Sequence, residues 1–132
     1  MEKSVFRTVA LWGMITAGFL SHTVCDMMPL FWGGNVAVDQ SGVMPQGMVM
    51  FMMALTYLVP VVGIVISLYS RCKTWHIVNF ILAVIIALFS VFHASELLTL
   101  SNYGQLVILP LMIVVAVLLA VESYKMIKQT EK

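Results

Sequence analysis

Charge is scarce in this chain. Of its 132 residues only 10% are charged and 61% are hydrophobic, whereas soluble domains carry about 25% charged residues. An ordinary soluble domain is therefore excluded. Cysteine is nearly absent too, with two residues, Cys25 and Cys72. The pattern below puts them on opposite sides of a hydrocarbon core about 30 Å thick, well beyond the reach of a disulfide. There is no phosphate-binding glycine loop, no C-x-x-C and no nucleophile elbow, so nothing points to a hydrolase, a kinase or a nucleotide site. The expectation is a protein that is not an enzyme.

Apolar sequence is what the chain has in quantity. Four runs reach the roughly 20 residues that a helix needs to cross a bilayer, at about residues 5–28, 48–69, 75–100 and 105–127. They leave too little for a separate soluble module, so residues 1–132 form one membrane domain. The one substantial connection, residues 29–47, is rich in Gly, Asn, Ser and Pro and reads as an irregular loop with Asp39 as its single charge. Pro29 and the pair Gly33-Gly34 are expected to stop the first span. A cleaved signal peptide is the competing reading of that span. Ser21-His22-Thr23 is a poor cleavage site, and the apolar run continues to Leu30, so retention is expected.

All seven Lys and Arg residues fall in three places: Lys3 and Arg7, then Arg71 and Lys73, then Lys125, Lys128 and Lys132. With four spans these places share one side, and the positive-inside rule makes that side cytoplasmic. The fold expected is all-α, an integral membrane four-helix bundle, up-down-up-down, with both termini inside. A nucleic-acid partner is excluded, because each basic cluster is short and directly abuts a span.

Within the spans, Pro60 should kink the second helix. Asn79, Ala83, Ala87, Ser90 and Ala94 make a small, weakly polar stripe on the third, and Gly13, Ala17 and Ser21 make another on the first. Both suit close helix packing inside a bundle. Trp75 and His76 sit where an interfacial anchor belongs.

The residues least suited to hydrocarbon are His22 and Asp26, one helical turn apart, and His93 with Glu96. At 1.5 Å per residue, His22 lies about 21 Å and His93 about 24 Å from the cytoplasmic side, with the two acids just above. Spans one and three run in the same direction and are diagonal in a sequentially wound bundle, so the four groups can converge near the outer face. On an α-helical wheel Glu96 points away from the small stripe, which favours two histidines with at most one acid.

Several readings fit such a cluster. Interhelical hydrogen bonding or solvation at the interface is the plainest, with the protein then an accessory or interaction subunit. A small transporter, or a proton- or ligand-handling protein, would use His beside carboxylate as a titrating pair. A divalent metal would take imidazole and carboxylate ligands, and a haem would take two axial histidines. No cofactor is otherwise implied. Methionines 27, 28, 44, 48, 50, 52 and 53 cluster toward the outer side; thioethers suit Cu(I), but Met is also an ordinary apolar filler. The deep Glu that small multidrug transporters carry in the first span is missing, since Glu2 precedes the membrane.

The Ala10-Leu11-Trp12 opening, Asp26 at the end of span one, Pro60, the turn Ser70-Arg71-Cys72-Lys73 and Val78-Asn79-Phe80-Ile81 together resemble small four-span bacterial inner-membrane proteins of unknown function. That resemblance implies a fold, a location in the bacterial cytoplasmic membrane and no established activity. The expected partners are the bilayer and other membrane proteins or further copies of the chain.

Overall fold

The computed structural model describes residues 2–37, 42–98 and 103–130. Asp39 of the loop and Lys132 of the last basic cluster lie outside the described residues. Among the described residues there is no strand. Four helical runs, Glu2–Trp32, Gln46–Tyr69, Lys73–Leu98 and Gln105–Gln129, are each long and apolar enough to cross a membrane.

Helix α1 spans Glu2–Met27 and continues as a 3-10 turn, Met28–Trp32. Pro29 does not stop the run as the sequence suggests. It occupies the first turn of the tighter helix, where a missing N–H costs nothing. The stop is Gly33, at φ 74°, a left-handed cap whose N–H bonds the Leu30 carbonyl at 3.2 Å. The second run is built from α2 (Gln46–Met53), a π turn (Ala54–Leu58) and α3 (Val59–Tyr69). The π turn is how the chain accommodates Pro60. Val59 N–H reaches five residues back to Ala54, so the acceptor ladder shifts just ahead of the ring that cannot donate.

Helix α4 (Lys73–His93) passes into a 3-10 turn, Ala94–Leu98, and α5 covers Gln105–Gln129. Helix α1 packs on α3 and α5, and α4 packs on the same two, which leaves α1 and α4 diagonal. Arg7 meets Glu122 at one end of the bundle, while His22 meets Gln105 at the other. Below, the first is the basic end and the second the distal end.

Buried Trp12, Ile15, Phe19, Leu55, Ala83, Ile86, Met112, Ala116 and Leu119 form the apolar core. The distribution around it is inverted relative to a water-soluble bundle. Leu20, Phe92, Leu98, Leu111 and many other large apolar side chains face outward, whereas Thr8, Ser67, Asn79, Ser90 and Ser123 are buried. In lipid this is the favourable arrangement, since polar atoms find partners only between helices. Several hydroxyls also bond the carbonyl four residues back, as Thr16 does to Trp12 and Ser90 to Ile86, which removes them from hydrocarbon at little cost.

The two small-residue stripes part company. Asn79, Ala83 and Ser90 are buried and line the bundle, as expected. Gly13, Ala17 and Ser21 are exposed instead, on the outside of α1. The larger Trp12, Ile15 and Phe19 bury the opposite face of that helix, because apolar bulk fills the centre better than small side chains do. His76 also departs from expectation. It is buried between helices rather than anchored at the surface, and only Trp75 is exposed.

Candidate functional site

The distal end brings His22, Asp26, His93 and Glu96 together with a fifth residue, Gln105 from the start of α5. Asp26 follows His22 by one turn of α1, and its Oδ2 lies 3.3 Å from His22 Nε2. Glu96 reaches the group for a reason an α-helical wheel misses. The chain tightens to a 3-10 turn at Ala94, where residues three apart eclipse one another. Glu96 Oε1 therefore stands 3.4 Å from His93 Nδ1, and its Oε2 stands 3.9 Å from His22 Nε2. The 3-10 turn thus offsets the wheel's turning of Glu96 away from the small stripe, and both acids, not at most one, stand beside the histidines.

The hydrogen bonds fix which atoms carry protons. Gln105 Nε2 donates to Asp26 Oδ1 at 2.5 Å and, more weakly, to the His22 carbonyl at 3.4 Å. A carboxylate only accepts, so the amide cannot be turned round. Its Oε1 then accepts from His22 Nδ1–H at 2.7 Å, which leaves a lone pair on His22 Nε2. That lone pair faces His93 Nε2 across 2.6 Å. His93 Nε2–H donates to it, and His93 presents its Nδ1 to Glu96 Oε1. A divalent ion entering between the rings would take the place of that one proton, since a ligating imidazole is neutral with a free lone pair.

The surroundings set access. His22 is buried, while the Asp26 and Glu96 side chains are about half exposed, so the acids form the mouth of the site. Below, His93 stacks on Phe89 with ring centroids 5.3 Å apart, and Phe89 meets Phe19 at 6.1 Å. This apolar floor continues into the Ile15–Ile86–Met112 core.

His22, His93 and Glu96 each offer a ligand atom within 4.8 Å of one another, with Asp26 alongside. Two nitrogens on one tetrahedral first-row ion at 2.0–2.1 Å stand about 3.3 Å apart. The His22–Asp26 separation already matches that spacing, and the imidazoles need to part by only about 0.7 Å. The orienting bond from His22 Nδ1 to Gln105 is the outer-shell contact that metal-bound histidines make. A haem fits poorly. The rings meet edge to face at 81°, with centroids 4.5 Å apart, and no flat slot separates them for a macrocycle. Met27, Met28, Met44, Met48, Met50 and Met53 are all exposed, which suits apolar filler facing lipid better than a Cu(I) site.

Two further polar groups lie toward the basic end. Trp12 Nε1–H donates to Asn79 Oδ1 at 3.1 Å, Asn79 Nδ2–H to Ser67 Oγ at 3.0 Å, and Ser67 O–H to the Gly63 carbonyl at 2.7 Å. Nearer the termini, buried Glu122 takes Lys125 at 2.6 Å and Arg7 at 3.8 Å.

Sequence reasoning missed Gln105, Trp12 with Asn79, and Glu122. Gln105 had a signal, as the only polar residue in the first four turns of its span. No known protein family, curated protein or solved structure is similar to this chain. Function is therefore read from the geometry.

Proposed function

We propose that the protein is an up-down-up-down bundle of the bacterial cytoplasmic membrane, with both termini inside, whose outward end binds a divalent first-row transition ion. Orientation is supported by the basic residues. Arg7, Arg71, Lys73, Lys125 and Lys128 belong to the end that carries Glu122, and the distal end offers no Lys or Arg among the described residues.

One observation carries the metal reading: the 2.6 Å approach of two imidazole Nε2 atoms, with His22 locked by Gln105 so that its lone pair faces His93. Two imidazoles with one or two carboxylates suit Zn(II), Ni(II) or Cu(II) better than Mg(II) or Ca(II), which take oxygen ligands. His22 and His93 would be the nitrogen ligands, Glu96 and Asp26 the oxygen ligands, and Gln105 the orienting residue. The buried apolar layer of Ile15, Phe19, Ile86 and Met112 beneath the site argues for a binding or accessory role, and against a conduit across the membrane.

The test is elemental analysis of detergent-purified protein, followed by Zn(II) titration, beside a His22→Ala, His93→Ala double variant. Stoichiometric uptake that the variant loses is the expected outcome. A protein that takes up no Zn(II), or a variant that binds as well as the parent, sinks the metal reading and leaves the histidines as an interhelical hydrogen bond. A second reading, an interaction subunit or homo-oligomer, has one favourable observation: the exposed Gly13, Ala17 and Ser21 stripe, a face on which another membrane helix could pack closely.

A further inference from the structure

The turn between α3 and α4 carries Arg71, which among the described residues has no hydrogen-bond or ion-pair partner. An open groove descends on each side of it. One, of about 610 Å³, runs along Val61, Val65 and Tyr69 to Trp75. The other, of about 370 Å³, lies between α3 and α1, walled by Val9, Phe6 and Leu68. Both include Ser70 and Arg71, so the two grooves meet at one basic residue. Their walls are overwhelmingly apolar, and the rim residues Tyr69 and Trp75 are of the kind that sit at headgroup level.

We propose that this site binds one diacyl anionic phospholipid, with Arg71 on the phosphate and one acyl chain in each groove. The occupant is argued from charge and from number. A guanidinium without a partner matches a phosphate in planar, bidentate fashion. Lys73 and Lys3 stand nearby in sequence or at the same end, and Glu2, the one acid on the rim, is accompanied by Lys3 and Arg7. Two grooves meeting at one cation fit two chains on one headgroup, where a single-chain amphiphile would fill only half the surface. Basic positions beside spans are also where anionic headgroups concentrate. The lipid site is independent of the distal metal site.

The test is thermal unfolding of the full-length protein in detergent, titrated with dioleoylphosphatidylglycerol, dioleoylphosphatidylcholine and lysophosphatidylglycerol. The anionic diacyl lipid should give a saturable rise in Tm that exceeds both others. Arg71→Gln, an exposed change that leaves the core intact, should weaken its apparent affinity about five- to tenfold. Val65→Trp, which fills one groove, should abolish the advantage of two chains over one. Equal shifts with anionic and zwitterionic lipid overturn the proposal, as does an unchanged response in Arg71→Gln. A lipid-independent dimer that Val65→Trp disrupts would assign the groove to a second copy and overturn it equally.

Discussion

Helices α1 and α4 are joined twice across the bundle, at Trp12–Asn79 and at His22–His93, and the two links use different chemistry. The first runs donor to acceptor without interruption, from indole through amide and hydroxyl to the Gly63 carbonyl, and nearly every atom in it is buried. It contains no titratable group. The second is a single imidazole–imidazole hydrogen bond between titratable rings, flanked by half-exposed carboxylates. A satisfied buried network rigidifies a fold, whereas titratable groups open to solvent can exchange a proton for another cation. Both were available to hold the same two helices together, so the difference in chemistry marks a difference in role.

The largest effect should come from the first link. Trp12 is fully buried, and a Cβ placed on Gly63 would collide with the edge of its indole ring. Trp12→Ala should cost about 3–5 kcal/mol of stability through the cavity it leaves. Trp12→Phe should cost less, roughly 1–3 kcal/mol, by leaving the Asn79 carbonyl without its donor. Thermal or denaturant unfolding in detergent reads both. Neither variant should change Zn(II) uptake per folded molecule, and a loss of uptake in Trp12→Phe would break the separation between the two links.

A smaller effect sharpens the second link. Gln105→Leu preserves bulk at the distal end but removes the acceptor that fixes the His22 tautomer and the donor that holds Asp26. Metal affinity should fall about 10- to 100-fold, as it does when an outer-shell partner of a ligating histidine is lost. Isothermal titration with Zn(II) measures it. Unchanged affinity would mean that the histidines are positioned by the Phe89 stack alone, and that Gln105 is a packing residue.

These residues also mark how far the chain could be read before its structure. The four long helices were legible because about 20 apolar residues in a row have few alternatives. The meeting of His22 and His93 was legible from depth alone, since 1.5 Å per residue puts them at one level, about 21 and 24 Å along their spans. Glu96 was not. Its approach depends on a switch from α to 3-10 winding at Ala94, a departure from regular geometry that periodicity cannot register. Gln105 was hidden for a different reason, because one amide at the start of an apolar span looks like a helix end until a neighbour gives it a role. The outward placement of Gly13, Ala17 and Ser21 was misjudged because a small-residue stripe predicts close contact without saying with which surface.

The comparison of the two ends also depends on which way the bundle lies in the membrane, and the protein carries its own reporters. Cys72 is exposed in the turn beside Arg71, whereas Cys25 is partly buried one turn beyond His22. Hydrogen bonds to Cys72 from the Thr74 backbone, then from the Thr74 side chain, hold its thiol below the ordinary cysteine value, against a small opposing effect of burial. At a given pH more of it is therefore thiolate, the form that alkylates. A membrane-impermeant maleimide should label Cys72 in inside-out vesicles and not in intact cells, at a pH lower than an unperturbed thiol requires. Thr74→Val should move the midpoint of the rate–pH profile upward only in part, since the backbone bond survives. Cys25 should react slowly, and from the outer side alone. Labelling of Cys72 from outside would invert the bundle. The histidine pair would then face the cytoplasm, and the proposed ion would come from the inner pool.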